Sequence, residues 1–318
     1  MDNHPKISFL ICSWKAPLTL DKTLESIYAQ TAAVPYEVVL VNNGFGRERA
    51  DSLRARYASL SIIDEPKPGL VFARLAAFRA AQGEFLVLLD DDNFLGDNFF
   101  APLAELLANN PRLGGVCAAI IPKWGATPPA WLPDFGRRCL GYNTPEIPDP
   151  SAIEVKVWRD PDTLKIRIPP GGGMIIRRAV AMEYLDRFAR DPRRSGLGRA
   201  AGALGACEDV DIYTLLVALK LDAAYSNQLQ IFHQIPPNRW DFKYLVKLNA
   251  KPLRDFAVLV RIWKSENNPY ARNDYFWGNV RWAPKLVYQY LRGGIALPRL
   301  TLELVRIANF LLASLRIL

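Results

Sequence analysis

The chain has 318 residues; half are hydrophobic and 23% are charged, which is typical of a globular protein and excludes a disordered one. Lysine and arginine total 40 against 32 aspartates and glutamates, a formal net charge of +8. This balance suits phosphate-bearing ligands or an anionic membrane, but no long basic run marks a nucleic-acid site, so we expect no nucleic-acid partner. The four cysteines are widely separated, unlike the spacing of zinc sites or disulfide frameworks.

The N-terminus and the hydrophobic stretches predict a cytoplasmic protein. Residues 1–6 are mostly polar and lack the charged and apolar regions of a signal peptide. No uncharged stretch reaches the ~20 residues needed to span a bilayer. We therefore expect the bulk of the chain to stay in the cytoplasm.

Strands and helices alternate through the first third of the chain. Apolar runs predict strands at 7–12, 36–41, 60–63 and 85–89. Helical spacing predicts helices between them, at 18–30, 47–57 and 69–81. Repeated units of this length predict a parallel, doubly wound sheet with right-handed crossovers.

The pattern is less regular after a predicted helix at 98–109 and a strand at 114–121. A proline-rich segment, 122–150, contains Trp124 and Trp131, and a loop of this length inside a domain is usually functional or mobile. The remaining predicted elements are a hairpin of 152–158 and 163–168, a strand at 174–176, helices at 179–188 and 209–220, and strands from 223 to 233.

Beyond Pro237 the sequence predicts helices rich in aromatic residues and arginine, so we divide the chain into residues 1–237 and a helical extension, 238–318. In the last helix, 298–318, the polar residues share an arc of ~140° at ~100° per residue, and the rest is apolar. Such a helix either packs into a core or lies on a membrane, and both remain open. The polar residues are Arg299, Glu303, Arg306, Asn309 and Arg316.

Three consecutive aspartates, Asp90, Asp91 and Asp92, follow the apolar run 85–89. A continuous apolar strand is typical of a parallel sheet covered on both faces, and ligands bind beyond the carboxyl ends of such strands. Adjacent carboxylates repel one another unless a cation lies among them, and Mg²⁺ and Mn²⁺ prefer oxygen ligands. The segment therefore predicts a site for a metal–phosphate complex; the alternative is a solvated acidic turn that caps the next helix.

Two further polar groups follow downstream. Glu208 and Asp209 open a predicted helix after a glycine-rich loop, and His233 ends a predicted strand. Each has a structural alternative: acids are favoured in the first turn of any helix by its dipole, and a histidine at a strand end can be satisfied by backbone.

Taken in order over residues 5–235, these segments resemble the family 2 glycosyltransferases with the GT-A fold. The resemblance implies an α/β, doubly wound, mostly parallel sheet with a Rossmann-like nucleotide-binding half, an acceptor half and a C-terminal helical extension. The matching segments are the first strand and turn, Ile7–Trp14; the second strand, 39–44; the helix 69–83 with Ala73-Arg74; the DxD motif, Asp90–Asp92; the strand 171–174; and the ED motif, Glu208-Asp209.

The same resemblance implies roles for individual residues. Asp209 is expected to be the general base, with Glu208 beside it raising its pKa by like-charge repulsion. Arg74 is expected to pair with a phosphate or else to extend along its helix surface, and the tryptophans to stack on sugars or else to pack in the core. The expected donor-binding residues are Ser13, Trp14, Asn42, Arg74, Asp90 and Asp91; the metal ligands are Asp90, Asp92 and His233; the acceptor-side residues are Gly172, Gly173, Trp124 and Trp240.

The implied function is an inverting, metal-dependent transfer of a sugar in polysaccharide biosynthesis. The donor would be a UDP-, GDP- or dTDP-sugar, the cofactor Mn²⁺ or Mg²⁺, and the acceptor a glycan or a polyprenyl-linked sugar at the inner face of the cell membrane. One alternative is a non-catalytic protein that binds nucleotide sugars or glycans. The other is a nucleotidyltransferase, which would normally have a glycine-rich loop where this chain has residues 12–17 without a glycine.

Three departures from the family pattern bear on the donor nucleotide more than on the reaction. Asn42 stands where an aspartate is common, and Leu75 where an asparagine is common. Lys15-Ala16 replaces a common asparagine–arginine pair.

Overall fold

One mixed β-sheet runs through the centre of the fold. The computed structural model describes residues 6–32, 34–137, 139–144, 146–149, 151–159, 169–199, 207–267, 284, 287–293 and 295–315. The strands there are β1 (Ile7–Ser13), β2 (Tyr36–Asn42), β3 (Leu60–Asp64), β4 (Phe85–Asp90), β5 (Asn93–Leu95), β6 (Leu113–Trp124), β7 (Val155–Trp158), β8 (Met174–Arg177) and β9 (Asp222–Ile235). They are ordered β3-β2-β1-β4-β8-β6-β9-β5, and β7 pairs with β9 beside that path.

Helices cover the sheet and extend the chain beyond it. Short 3₁₀ turns lie at Gly171–Gly173, Pro192–Gly196 and Pro237–Arg239. The α-helices are α1 (Leu18–Tyr28), α2 (Arg47–Arg56), α3 (Leu70–Ala80), α4 (Phe100–Asn109), α5 (Leu132–Gly136), α6 (Arg178–Arg190), α7 (Glu208–Ala218), α8 (Phe242–Ser265) and α9 (Leu297–Leu315).

The first half of the sheet is parallel, as the alternating pattern predicts. β1 pairs with β2 and β4, and β2 pairs with β3, all in parallel register. Successive residues of β1 point to opposite faces, so Phe9 and Ile11 join one apolar cluster while Leu10 joins another. The predicted elements of this half are confirmed, with ends that differ by one or two residues.

The second half of the sheet is mixed. β8 runs antiparallel to both β4 and β6, β6 and β9 are parallel, and β5 and β7 are antiparallel to β9. β6 continues to Trp124, into the segment predicted as a proline-rich loop. In the predicted hairpin, β7 pairs with β9 instead, and residues 163–168 lie outside the described part of the chain.

The C-terminal helices share the core of the sheet. Leu245 and Leu248 of α8 and Leu302 of α9 belong to the same buried cluster as Phe9 of β1. Residues on both sides of position 237 therefore contribute to one core. The division of the chain at that position stays a prediction from sequence. Glu303, expected on the polar arc of the last helix, is only 1% exposed. No helix in the described residues is long and apolar enough to cross a membrane.

Candidate active site

A cleft opens at the carboxyl ends of β1 and β4. Parallel strands place their carboxyl ends at one edge, where ligands bind in sheets of this type. The turn after β1, the end of β4, the 3₁₀ turn 171–173, the start of α7 and the end of β9 all contribute to its lining. Among the residues singled out in the sequence, the cleft is lined by Ser13, Trp14, Arg74, Asp90, Asp91, Asp92, Gly172, Glu208, Asp209 and His233.

The three aspartates lie in different electrostatic environments. Burial raises the pKa of Asp91 to about 7, and neighbouring Asp92 and Asp90 add to the rise, although the Ser13 hydroxyl that donates to its carboxylate opposes it. Burial also acts to raise the pKa of Asp92, but His233 and two nearby arginines outweigh it and hold that pKa below its ordinary value. His233 Nε2 lies 3.6 Å from Asp92 Oδ1.

The side chains at Asp92 offer atoms that can ligate a divalent cation. The predicted set of three metal ligands, however, is not assembled. Carboxylate oxygens and imidazole nitrogens both bind Mn²⁺, and the buried Nδ1 of His233 has no hydrogen-bond partner among the described residues. Asp90, however, faces Arg74, whereas Asp92 faces His233. Across the described part of the chain, no three such side chains converge on one point that could hold a metal. Each of these two acids lies beside a basic group of the protein.

Arg74 joins the two acidic motifs. It is only 5% exposed, so the expectation that it extends along its helix surface is wrong. Its Nη1 donates to Glu208 Oε1 at 2.5 Å, and its Nη2 lies 3.6 Å from Asp90 Oδ1. A contact between Arg74 and a phosphate stays a prediction; its partners in the structure are carboxylates.

Asp209 stands in the first turn of α7, half-buried against the cleft. Its Oδ2 accepts the backbone N–H of Gly171 at 3.1 Å and its Oδ1 accepts that of Val210 at 2.8 Å. Burial raises the pKa of Asp209, while Arg74 and the two N–H donors oppose the rise. Burial, and not the expected repulsion from Glu208, is therefore the main cause of the raised pKa.

Glu208 is buried beside Arg74. Burial raises the pKa of Glu208, and the guanidinium opposes that rise. The acids of the first turn also lie near the positive end of the helix dipole.

The 3₁₀ turn 171–173 passes very close to the acids. A Cβ on Gly172 would lie 2.5 Å from Asp90 Oδ2, and the Gly172 carbonyl accepts the side-chain amide of Asn93. Gly173 instead faces Ile120 of β6, since a Cβ there would lie 2.4 Å from its side chain. Of the two glycines predicted on the acceptor side, only Gly172 lines the cleft.

The predicted acceptor-side tryptophans pack away from the cleft. Trp124 and Trp240 contact each other edge to face at 5.2 Å, and both pack against the main core cluster. Neither is among the cleft-lining residues, so the core alternative describes them. Burial of their large apolar rings against the core accounts for this placement.

At the donor end, Trp14 and Asn42 differ in placement. Trp14 lines the cleft, is 51% exposed, and has the Lys15 ammonium 4.9 Å from its ring. Asn42 does not line it: its Oδ1 accepts the N–H groups of Gly44 and Phe45, and its Nδ2 donates to Asp64.

Sequence reasoning missed several residues that line the cleft. Asn43 donates to the carbonyls of Glu65 and Lys67, at 2.8 Å each, and so fastens the loop that leads to the cleft. Arg239 donates to the Tyr244 hydroxyl at 2.7 Å, and its charge lowers the pKa of Asp92. Arg239 follows a Pro-Pro pair just after the strand of His233, and that position was the available signal. The missed residues include Lys15, Asn43, Arg137, Arg199, Arg239 and Tyr244.

Curated relatives match parts of the chain. A glucosyl-dolichyl phosphate glucuronosyltransferase of Haloferax volcanii is 24% identical over 168 residues, 49% of this chain and 53% of that protein. An uncharacterized glycosyltransferase of Bacillus subtilis, YwdF, is 34% identical over 103 residues, 31% of this chain and 37% of that protein. The chain thus spans about half, or less, of the length of these relatives.

Solved structures share the fold at low identity. A mannosyltransferase of Pyrobaculum calidifontis, PcManGT, in complex with GDP-Man and Mn²⁺, aligns with a TM-score of 0.55 and 17% identity over 98% of this chain and 87% of that one. The structure of GalNAc-T7 with UDP, GalNAc and Mn²⁺ aligns with a TM-score of 0.54 and 17% identity, over 83% of this chain and 48% of that one. Both likenesses support the GT-A fold.

The family model described as glycosyl transferase family 2 matches residues 8–185. This range includes all of β1 but its first residue, the three aspartates and the 3₁₀ turn 171–173, and it ends before Glu208, Asp209 and His233. It spans more than half of the chain, and the sheet has the GT-A arrangement. The chain belongs to glycosyl transferase family 2.

Proposed function

We propose that this chain is an inverting glycosyltransferase that moves a sugar from a nucleotide sugar to a glycan or lipid-linked acceptor in polysaccharide biosynthesis. The observation that carries the proposal is Asp209: a carboxylate of raised pKa that lines the same cleft as the DxD acids. A relative named for glucosyl-dolichyl phosphate and neighbours solved with UDP or GDP-Man support this class of acceptor and donor.

In the proposed reaction, Asp209 acts as the general base. Its carboxylate accepts the proton of the acceptor hydroxyl, and the hydroxyl oxygen forms a bond to the anomeric carbon. The bond from that carbon to the diphosphate oxygen breaks, and the electron pair leaves with the nucleoside diphosphate. Attack opposite the leaving group inverts the anomeric carbon. The raised pKa makes Asp209 a stronger base than an ordinary aspartate.

The acids that follow β4 would lie beside the donor. Asp92 and His233 offer oxygen and nitrogen ligands for Mn²⁺ or Mg²⁺, and a bound ion would neutralise charge on the leaving diphosphate. Asp90 as a third ligand stays a prediction from the family resemblance. Ser13 orients Asp91 by donating to its carboxylate. Trp14 offers an exposed ring at the donor end of the cleft, and Arg239 supplies a positive charge near the acids.

Replacing Asp209 with asparagine tests the proposal. Asp209→Asn keeps the side-chain shape but removes the base, so transfer should fall by roughly 10²–10⁴-fold while donor binding persists. Transfer is measured across a panel of nucleotide sugars with Mn²⁺, and donor binding by the shift in melting temperature. An exposed acid, Asp97→Asn, is the matched control and should retain full activity.

Two results would overturn the proposal. Transfer by Asp209→Asn at the wild-type rate would mean that Asp209 is not the base. A wild-type protein that binds a donor, yet transfers its sugar to no glycan or lipid-linked acceptor, would favour the non-catalytic binding protein.

A further inference from the structure

A completely buried arginine lies behind the helix that carries the proposed base. Arg194, in the 3₁₀ turn 192–196, is 0% exposed. Its Nε donates to Asp211 Oδ2 at 2.8 Å, and its Nη2 lies 2.8 Å from Glu266 Oε1 in an ion pair. Removing one partner from a buried ion pair leaves an uncompensated charge, so such a cluster tightly constrains the elements that contribute to it.

The second oxygen of Asp211 is bound by the C-terminal helix. Nε1 of Trp263 on α8 donates to Asp211 Oδ1 at 2.9 Å, and Trp263 is 2% exposed. Glu266, just after α8, also accepts from Arg187 of α6 at 2.8 Å. An apolar cluster surrounds these contacts and includes Leu197, Cys207, Leu259, Val260, Ile262 and Trp263. Thus α8 contacts α7 through both apolar packing and a buried polar network.

Helix geometry connects this network to the cleft. Asp211 follows Glu208 by three residues, so at about 100° per residue the two acids share one face of α7. Both are buried there, Glu208 bonded to Arg74 and Asp211 to Arg194 and Trp263. Asp209 is turned about 100° from Glu208 and lines the cleft. The contacts on the inner face therefore determine where Asp209 points.

We propose that Trp263 and Arg194 are positioning residues for the general base, and that α8 thereby supports the catalytic centre from behind α7. They act through Asp211, which holds the rotation of α7 and so directs Asp209 into the cleft. The inference rests on the proposed role of Asp209. The family match ends at residue 185, so the residues of this network lie outside it: Arg187, Arg194, Asp211, Trp263 and Glu266.

The test replaces Trp263 with phenylalanine, which keeps an aromatic ring but removes the N–H that donates to Asp211. The donor site lies mainly on β1 and β4, whereas the base depends on α7. We therefore expect kcat to fall by at least about tenfold with donor KM within about twofold, since a misplacement near 1 Å can cost a hundredfold in rate. Ile262→Val, a small change at a fully buried neighbour on α8, is the matched control and should leave both constants unchanged.

Melting temperatures of both variants distinguish positioning from general loosening of the fold. The inference is supported if kcat falls for Trp263→Phe but not for Ile262→Val, although the melting temperatures of the two variants fall by similar amounts. Equal kcat values in the wild type and Trp263→Phe would overturn the inference. If Trp263→Phe does not fold, Glu266→Gln replaces it as the test. This substitution weakens the ion pairs of Glu266 with Arg194 and Arg187 at a more exposed position. An unchanged kcat in Glu266→Gln would then overturn the inference.

The outcome is separable from that of the proposed function. An inactive Asp209→Asn together with a fully active Trp263→Phe would reject only the positioning role. An active Asp209→Asn would reject the base itself, whatever the α8 variants do.

Discussion

Arg74 contacts both acidic motifs. It bonds to Glu208 at 2.5 Å and lies 3.6 Å from Asp90. Burial raises the pKa values of Glu208 and Asp209, and the charge of Arg74 opposes that rise. Without it, two carboxylates would remain buried in the first turn of α7 with less compensation. Arg74 therefore stabilises the ionised form of the proposed base and the local fold at once.

Substituting Arg74 should move the pH dependence of transfer. The base works when ionised, so activity falls as pH drops through the pKa of Asp209. Arg74→Met removes a charge that lowers this pKa, so the pKa should rise and the loss of activity on acidification should begin at a higher pH. The measurement is kcat/KM against pH, with Arg79→Met on the exposed side of α3 as the control.

Stability should change in a related way. Buried carboxylates whose pKa is raised on folding destabilise the protein increasingly as pH rises above their unfolded values, and Arg74 offsets this. Arg74→Met should therefore cost on the order of 3–5 kcal/mol near neutral pH, and less in acid. Arg74→Lys, which keeps the charge, should recover part of the loss. This role for Arg74 would be contradicted if Arg74→Met and Arg79→Met lost activity at the same acidic pH and had the same stability.

At the scale of elements, the 3₁₀ turn 171–173 brings the two halves of the sheet together at the cleft. It leads into β8, which pairs antiparallel with β4 on one side and β6 on the other. The turn provides the Gly171 N–H to Asp209 and lies against Asp90 at Gly172. Glycine is required at position 172 by this close approach of backbone to carboxylate.

Gly172→Ala should impair transfer more than it impairs folding. The new Cβ would lie 2.5 Å from Asp90 Oδ2, so the acid must move away from its place in the cleft. We expect kcat/KM for the donor to fall by at least about tenfold, with a loss of about 1–3 kcal/mol in stability. The control is Gly46→Ala, before α2, where a Cβ meets nothing within 4 Å. Equal activity of both variants would show that Asp90 tolerates displacement.

At the scale of the whole molecule, the C-terminal helices have both a packed and an exposed apolar surface. Leu300, Leu302 and Ile307 of α9 are buried, which places part of its apolar arc in the protein. Before and at the start of α9, Leu291 and Leu297 are 75% and 56% exposed, close in sequence to Arg292 and Arg299. Exposed leucines beside arginines, on a chain of net charge +8, fit an anionic lipid surface.

The double substitution Leu291→Ser/Leu297→Ser should weaken binding to anionic vesicles. Burying each leucine is worth roughly 1.5–3 kcal/mol, so partial insertion of two should account for at least about tenfold in partitioning. Binding is measured by sedimentation with vesicles that contain anionic lipid. The same measurement with neutral vesicles gives the electrostatic contribution to binding by difference. Leu18→Ser, at an 85% exposed leucine on α1, is the control. Partitioning unchanged by the double substitution would contradict the membrane-surface prediction.

Much of the architecture followed from local pattern. Apolar runs of four to six residues and helical spacing sufficed for the elements from β1 to β4, because each buries a face whose period is visible in the sequence. β5 is only three residues long, and α5 lies in a proline-rich segment, so neither had a readable period. The path of β7 also escaped prediction, since pairing with β9 joins residues about 70 positions apart.

The sequence by itself determined which motifs exist and in what order: an acidic cluster after an apolar strand, a glycine turn, and an acidic pair that opens a helix. These are local features, legible because residue type and spacing specify them. Only the tertiary structure decided the partners: Arg74 with Glu208, Trp124 with Trp240 in the core, and Trp263 with Asp211. Such contacts depend on burial and on distances between residues far apart in the chain, which no local pattern records.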